Sequence, residues 1–312
     1  MVIEHDICIS NLSVSFPVSS GLVNALKETN LVIKHNHITG LIGESGCGKS
    51  VLGLSIMRLL PGNAQTDGCV TIAGSDIFQF TAEQLRYWRA QTFGIIPQNP
   101  EAAFNPIRKI RKQVTEALWN LNLCEAEIVK KLKILFDDLG LVDFKRIWNA
   151  YPFQLSGGMQ QKILCALTLA GHQSWIIADE PNKGLDYSSL SSLKENLLFI
   201  KNKNNRGMLV ITHDIDLANE ICDKIVVMYA GEIVETGSTV ISKPLHPYTK
   251  AFINAMPQRG FQHIPGNSPN PLKPVVGCSF APRCSQSMPR CFLEKPGLYK
   301  VESSNVRCFL YD

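Results

Sequence analysis

One segment of the 312-residue chain has the residue types needed to grip a phosphate. Residues 38–50 read ITGLIGESGCGKS and lead from a short apolar stretch into the helical pattern VLGLSIMRLL. Gly43, Gly46 and Gly48 let backbone N–H groups curl around an anion, the helix start adds partial positive charge, and Lys49 reaches the outer phosphates. Ser50 offers a hydroxyl to Mg²⁺. The phosphate candidates are therefore Gly43, Glu44, Ser45, Gly46, Cys47, Gly48, Lys49 and Ser50. A thiol at a helix start beside a lysine is also expected to ionise easily, so alkylation of Cys47 should block nucleotide binding. The blander reading of Cys47 is a small residue tolerated in the loop.

Two further segments complete a reaction. Residues 175–180 read WIIADE, a buried strand ending in two acids. Asp179 is placed to hold Mg²⁺ and Glu180 to polarise an attacking water. Residues 155–162 read LSGGMQQK and open a helix. That is a second nest of bare amides, with Ser156, Gly157, Gly158 and Gln160 as candidate contacts. One nucleotide needs only one such helix start from each chain. The economical arrangement is a head-to-tail pair, in which the phosphate loop of one protomer faces the Ser-Gly-Gly turn of the other.

These segments need a scaffold. Ile7, Ile9, Leu12, Val14 and Phe16 alternate as in a half-buried strand, and Leu31–Ile33 and Val70–Ile72 read as further strands, the latter after a turn at Asp67–Gly68. An antiparallel portion is thus expected in the first third. The short apolar runs at 41–42, 95–96, 175–178, 208–211 and 225–228 predict strands buried on both faces of a parallel sheet, with helical crossovers between several of them. Between 107 and 140, Ile107, Ile110, Val114, Leu118 and Leu121, then Ile128, Leu132, Leu135 and Leu139, form two helical stripes that suggest an inserted helical subdomain. GNSPNPLKP at 266–274 has the composition of a linker.

Composition excludes several classes. Apolar residues make up 45% and charged residues 19%, and 31 Lys+Arg against 27 Asp+Glu leave a net charge of +4. That is a globular profile without the basic density of a nucleic-acid stripe. The start, MVIEHDICIS, has acid where a signal peptide needs base, and no run approaches the roughly 20 apolar residues of a membrane span. A cytosolic protein is expected. Ten cysteines are many for a reducing compartment, and four of them, Cys278, Cys284, Cys291 and Cys308, crowd the end on a Pro- and Gly-broken segment with no evident core of its own. They read as free thiols or as a thiolate set for Zn²⁺ or a [4Fe–4S] cluster; Arg283, Arg290 and Arg307, each preceding one of them, are expected to offset thiolate charge.

LSGGMQQK between a phosphate loop and an acid-terminated strand resembles the nucleotide-binding cassette of ABC transporters, up to about residue 260. The resemblance implies a P-loop NTPase core of α/β class with an antiparallel β subdomain and an inserted helical subdomain at about 100–170, followed by a Cys-rich extension at 261–312. It implies ATP and Mg²⁺ as ligands. Gln98, in IIPQNP, matches the loop that senses Mg²⁺ and contacts membrane subunits; Gly184–Leu185–Asp186 matches the D-loop; His213, in VITHD, matches the switch histidine. Asn182–Lys183 departs from the small or hydroxyl residues usual before the D-loop. The adenine-stacking aromatic is less clearly marked: Phe16 is the candidate, and a core phenylalanine is the other reading.

His246–Thr249 (HPYT), the run from Gln98 to Pro106 and the four terminal cysteines resemble the oligopeptide/dipeptide/nickel importer subfamily, of dipeptide type. The resemblance implies a structural [4Fe–4S] cluster on Cys278, Cys284, Cys291 and Cys308. It also implies an ATPase subunit that powers import of peptides, nickel or metal chelates, pairs with a paralogous subunit and works with two permeases and an extracytoplasmic solute-binding protein at the cytoplasmic face of the membrane, with no nucleic acid. Glu180, His213 and Gln98 would carry catalysis, and Ser50, Gln98 and Asp179 the Mg²⁺. The competing expectation is a soluble ABC-type ATPase without a permease.

Overall fold

A computed structural model describes residues 5–182, 187–204, 206–256 and 259–312. In chain order the elements are β1 (Ile7–Val18), β2 (Gly21–Ile33), β3 (Ile38–Ile42), α1 (Lys49–Ile56), β4 (Gln65–Ile72), β5 (Ser75–Asp76), α2 (Ala82–Thr92), β6 (Phe93–Ile96), α3 (Ile110–Ala117), α4 (Glu125–Asp138), α5 (Phe144–Asn149), α6 (Gly157–Ala170), β7 (Trp175–Asp179), α7 (Tyr187–Asn204), β8 (Gly207–Ile211), α8 (Ile215–Ile221), β9 (Lys224–Tyr229), β10 (Glu232–Gly237), α9 (Pro247–Asn254), α10 (Pro289–Leu293), β11 (Tyr299–Val301) and β12 (Ser304–Val306). They form two compact units: residues 1–79 with 211–312, and residues 80–210.

The first unit carries an antiparallel sheet ordered β2–β1–β4–β5 and a second set ordered β11–β12–β10–β9–β3, in which β3 and β9 run parallel. The alternation in β1 breaks between Ile9 and Leu12, where the register shifts and Asn11 takes φ 50°. That bulge keeps Ile7, Ile9, Leu12 and Val14 all on the buried face. Asp67–Gly68, expected as a turn, lies inside β4 instead. Gly68 sits at φ 89° against Asn11, and a Cβ there would come within 2.4 Å of the Asn11 carbonyl oxygen. The dipeptide thus serves a bulge, not a chain reversal.

The carboxyl-terminal segment is built into this unit. Ile264 and Phe280 share a core with Ile42, Val227, Tyr229 and Tyr248, β12 pairs with β10, and Pro271 O accepts from Asn24 N (3.2 Å). Contrary to expectation, the cysteine segment also has a small core: Ala281, Cys291 and Phe309, flanked by Cys278 and Met288.

His246 caps α9, its Nδ1 accepting from Tyr248 N at 3.0 Å. Burial is the main cause that lowers its pKa, to about 3, with Arg307 and Lys250 adding positive charge nearby. The unfolded chain therefore takes up a proton below about pH 6.5 that the folded one refuses, and stability falls with pH across the window from about 6.5 to 3, by up to about 1.4 kcal/mol per pH unit. Glu235, which accepts from Leu245 N and His246 N, is shifted upward by burial and acts in the opposite sense at the acid end. His246→Asn keeps a capping oxygen and removes the titration. Its denaturant midpoint should fall less steeply than wild type between pH 6.5 and 5; an unchanged slope would discard the assignment.

The second unit orders its strands β8–β7–β6, with β6 and β7 parallel, and packs α4 against α6. The helical stripes are present at Ile110, Val114, Leu118, Ile128, Leu132 and Leu135, all buried, but Ile107 lies outside the helix and is 81% exposed. Arg206 is buried and donates to the carbonyls of Thr168, Leu169 and Gly171, closing the end of α6. A guanidinium is suited to this because its fork reaches several orphan carbonyls at once.

Candidate active site

In the first unit, β3 delivers the chain into the phosphate loop. Gly43 takes φ 151°, and a Cβ there would stand 2.2 Å from Met228 O; Gly48 takes φ 107° against Ala25 O at 2.6 Å. Both positions demand glycine for conformation and for space. No side chain caps α1 at Gly48, the kind of helix start that an anion can cap. Lys49 is buried, and its Nζ donates to Gly43 O (2.8 Å) and Glu44 O (3.0 Å), drawing the loop around the ammonium. Ser45, Gly46 and Ser50 are exposed. A pocket of about 620 Å³ opens beside the loop, walled by Glu44–Cys47, Val23–Ala25 of β2 and, unforeseen, Ser268–Pro271 of the linker.

Also in this unit, Thr212 N donates to Leu41 O (3.1 Å), which fixes the chain beside the strand feeding the loop just before His213. Asp214 then caps α8 by accepting from Leu217 N. His213 is exposed, and Phe16 on β1 is half-buried beside its cross-strand partner Val23.

In the second unit, β7 ends at Asp179, and Glu180 follows at φ 46°. That left-handed conformation is costly for a glutamate and fixes a sharp departure from the strand. Gln98 is exposed just past β6. The Ser-Gly-Gly turn opens α6, with Ser156 Oγ accepting from Met159 N (3.3 Å). Gln160, a candidate contact, turns inward and donates to Pro152 O (3.0 Å) and Leu155 O (3.3 Å), bracing that turn from behind. Gln161, which sequence reasoning passed over, donates to Pro181 O and ties α6 to the segment after Glu180. Among the described residues, its own helix turn and chain neighbours aside, no atom lies within 4 Å of a Cβ placed at Gly157. Gly184, Leu185 and Asp186 lie outside the described residues.

Residues 26–183 match the ABC transporter family, and residues 234–291 match the oligopeptide/dipeptide transporter C-terminal region. The chain belongs to the ABC transporter family. Its relatives include the probable D,D-dipeptide transport ATP-binding protein DdpD of Escherichia coli, 35% identical over 96% of this chain and 94% of the relative. The oligopeptide transport ATP-binding proteins OppD of Escherichia coli and AppD of Bacillus subtilis are each 32% identical, over 92% and 97% of this chain and 88% and 96% of their own length. A dimeric bacterial ABC transporter cassette superposes with a TM-score of 0.64 at 25% identity over 73% of this chain and 96% of that one. CbiO1 of Clostridium perfringens has the same fold, with a TM-score of 0.64 at 24% identity over 76% and 89%. The cassette is an ATPase, and no helix among its described residues is long and apolar enough to cross a membrane.

Two expectations about the cassette's chemistry are overturned. Cys47 is 5% exposed, and burial raises its thiol pKa despite Lys49 nearby. The easily ionised loop thiol is therefore withdrawn. The three arginines preceding cysteines do not serve the thiolates either. Arg283 pairs with Glu44, Arg290 with Glu294 and Asp312, and Arg307 donates to the carbonyls of Ile233 and Pro296.

Cys278, Cys284, Cys291 and Cys308 line one pocket. Two of the sulfurs accept backbone N–H groups, Cys284 from Gln286 and Cys291 from Met288, at 3.4 and 3.5 Å. Burial pushes the Cys278 thiol up to about 11 and raises Cys284 and Cys308. Among the described residues no group of three or more His, Cys, Asp or Glu side chains is placed to hold a metal ion, so neither the zinc nor the iron–sulfur expectation draws support from the arrangement of these cysteines.

Proposed function

We propose that the chain is the ATP-hydrolysing subunit of a peptide importer, peripheral on the cytoplasmic side of the membrane. It pairs head to tail with a paralogous ATPase subunit and drives two permease subunits served by an extracytoplasmic solute-binding protein. The observation carrying the peptide reading is the oligopeptide/dipeptide C-terminal region at 234–291, in a chain that matches peptide and dipeptide transport relatives over at least 88% of their length. The proposed division is a cassette through residue 260, its helical subdomain at about 100–170, and the extension from 261 to 312.

In this reading the loop amides and Lys49 hold the outer phosphates and Phe16 stacks on adenine. Ser50, Gln98 and Asp179 offer hydroxyl, amide and carboxylate oxygens, the hard donors that Mg²⁺ prefers; when bound, the ion neutralises phosphate charge. Glu180 takes the proton of the attacking water, His213 holds the reacting geometry, and Gln98 passes closure to the permeases. Ser156, Gly157 and Gly158 of the opposite subunit close over the γ-phosphate, and Asp186 follows across the same seam. Gly157 supports this: a position that meets nothing outside its own helix turn among the described residues and still carries glycine suits close approach by an outside group.

Cells lacking the chain should lose uptake of a labelled dipeptide and regain it with the wild-type chain but not with Glu180→Gln. A detergent-extract pull-down should recover integral-membrane partners. Undiminished uptake with no membrane partner would instead favour a soluble ATPase.

The reading extends to the extension, where Cys278, Cys284, Cys291 and Cys308 would hold a structural [4Fe–4S] cluster that cross-links the segment. Anaerobic purification should yield visible absorption with about four irons per chain. A colourless protein with stoichiometric zinc would refute it.

A further inference from the structure

Glu44 opens the phosphate loop, its carbonyl held by Lys49 and its N–H donating to Tyr248 Oη at 2.9 Å. Glu44 lines the pocket beside that loop, and its side chain is only 24% exposed. A partly buried carboxylate there repels the nucleotide unless another charge cancels it.

The cancelling charge comes from 239 residues away. Arg283 Nη1 and Nη2 donate to Glu44 Oε2 (3.0 Å) and Oε1 (3.1 Å), a two-pronged pairing. The Arg283 side chain is 7% exposed and is itself held: Nε donates to Pro265 O (3.0 Å), Nη1 to Tyr229 Oη and Ser268 Oγ (both 3.2 Å), and the guanidinium lies 5.8 Å from the Tyr229 ring centroid. Ser268 Oγ adds a donated hydrogen bond to Glu44 Oε2 (2.9 Å). Every group in this set except Glu44 and Tyr229 belongs to the segment after β10, and Arg283 directly precedes Cys284.

We propose that Arg283 is a positioning residue of the nucleotide site, through which the carboxyl-terminal segment neutralises and fixes Glu44 so that the phosphate loop accepts a triphosphate. The cysteine-bearing segment is in this sense part of the ATP site. The inference rests on the reading of residues 43–50 as the ATP phosphate loop.

The test is equilibrium binding of a fluorescent ATP analogue to the full chain, with thermal midpoints recorded in parallel. Arg283→Ala should weaken binding by about tenfold or more, because it leaves a charge unpaired beside the phosphates. Arg283→Lys, which keeps the charge and loses the fork, should fall between. In the Glu44→Gln background, whatever that change does by itself, Arg283→Ala should alter affinity by less than about threefold. A purely structural role for Arg283 would not be repaired by removing the opposing charge. If Arg283→Ala does not fold, Arg283→Lys with and without Glu44→Gln carries the same comparison. Unchanged affinity in the arginine variants, or a loss that persists in the Glu44→Gln background, overturns the inference. A wild-type chain that binds no nucleotide overturns the phosphate-loop reading itself.

Discussion

Glu180→Gln should lower steady-state ATP hydrolysis by about 10²–10⁴-fold while nucleotide affinity stays near wild type. General-base assistance is worth that range, and the substitution keeps side-chain length while removing the group that accepts water's proton. Position 180 also argues for the residue's task. It follows the buried strand β7 directly and holds φ 46°, a conformation that costs a non-glycine residue on the order of 1–3 kcal/mol and that surrounding structure must enforce. The check is a paired measurement of phosphate release and ATP-analogue binding. Normal turnover in Glu180→Gln would remove Glu180 from the mechanism.

Gly157→Asp should leave the folded chain as stable as wild type, or slightly more so, and still reduce turnover by at least about 100-fold. The two halves of that expectation come from different physics. Among the described residues a Cβ at 157 meets nothing outside its own helix turn, and an acidic residue in the first turn of α6 interacts favourably with the helix dipole. Across the proposed dimer, the same carboxylate would face the γ-phosphate held by the other subunit, and losing one such anion contact typically costs 10²–10³ in rate. Thermal melting and phosphate release on the same preparation separate the two. A destabilised Gly157→Asp would show that the glycine serves this chain's own packing, and one with full turnover would remove position 157 from the shared site.

The parts of this site legible in the sequence are those in which one short segment carries both the chemistry and its geometry. The phosphate loop is such a case, because Gly43, Gly48 and Lys49 act on atoms within a few residues or on the adjoining strand. The buried strands and the paired helices were legible from apolar spacing, except where exposure at Ile107 shows that a stripe can run past its helix. What was not legible depends on distant partners. A run of arginines before cysteines reads as charge compensation for thiolates, yet Arg283 answers to Glu44 across the whole chain. Cys47 reads as reactive from its neighbours, but its burial against the β9–β10 turn, where Gly231 N donates to Cys47 O, decides its ionisation. Asp67–Gly68 reads as a turn because a bulge uses the same residues. Arg206, which fastens the end of α6, carries no local motif, and Gln161 lies within LSGGMQQK but acts on Pro181, 20 residues on.

The measurement closest to the central claim is specific ATPase activity of the purified subunit as a function of its concentration, alone and with added paralogous subunit. Shared sites predict activity per chain that rises with concentration or with the added subunit and collapses with Gly157→Asp in the subunit facing the ATP. Activity per chain that is independent of dilution and untouched by Gly157→Asp would contradict the account.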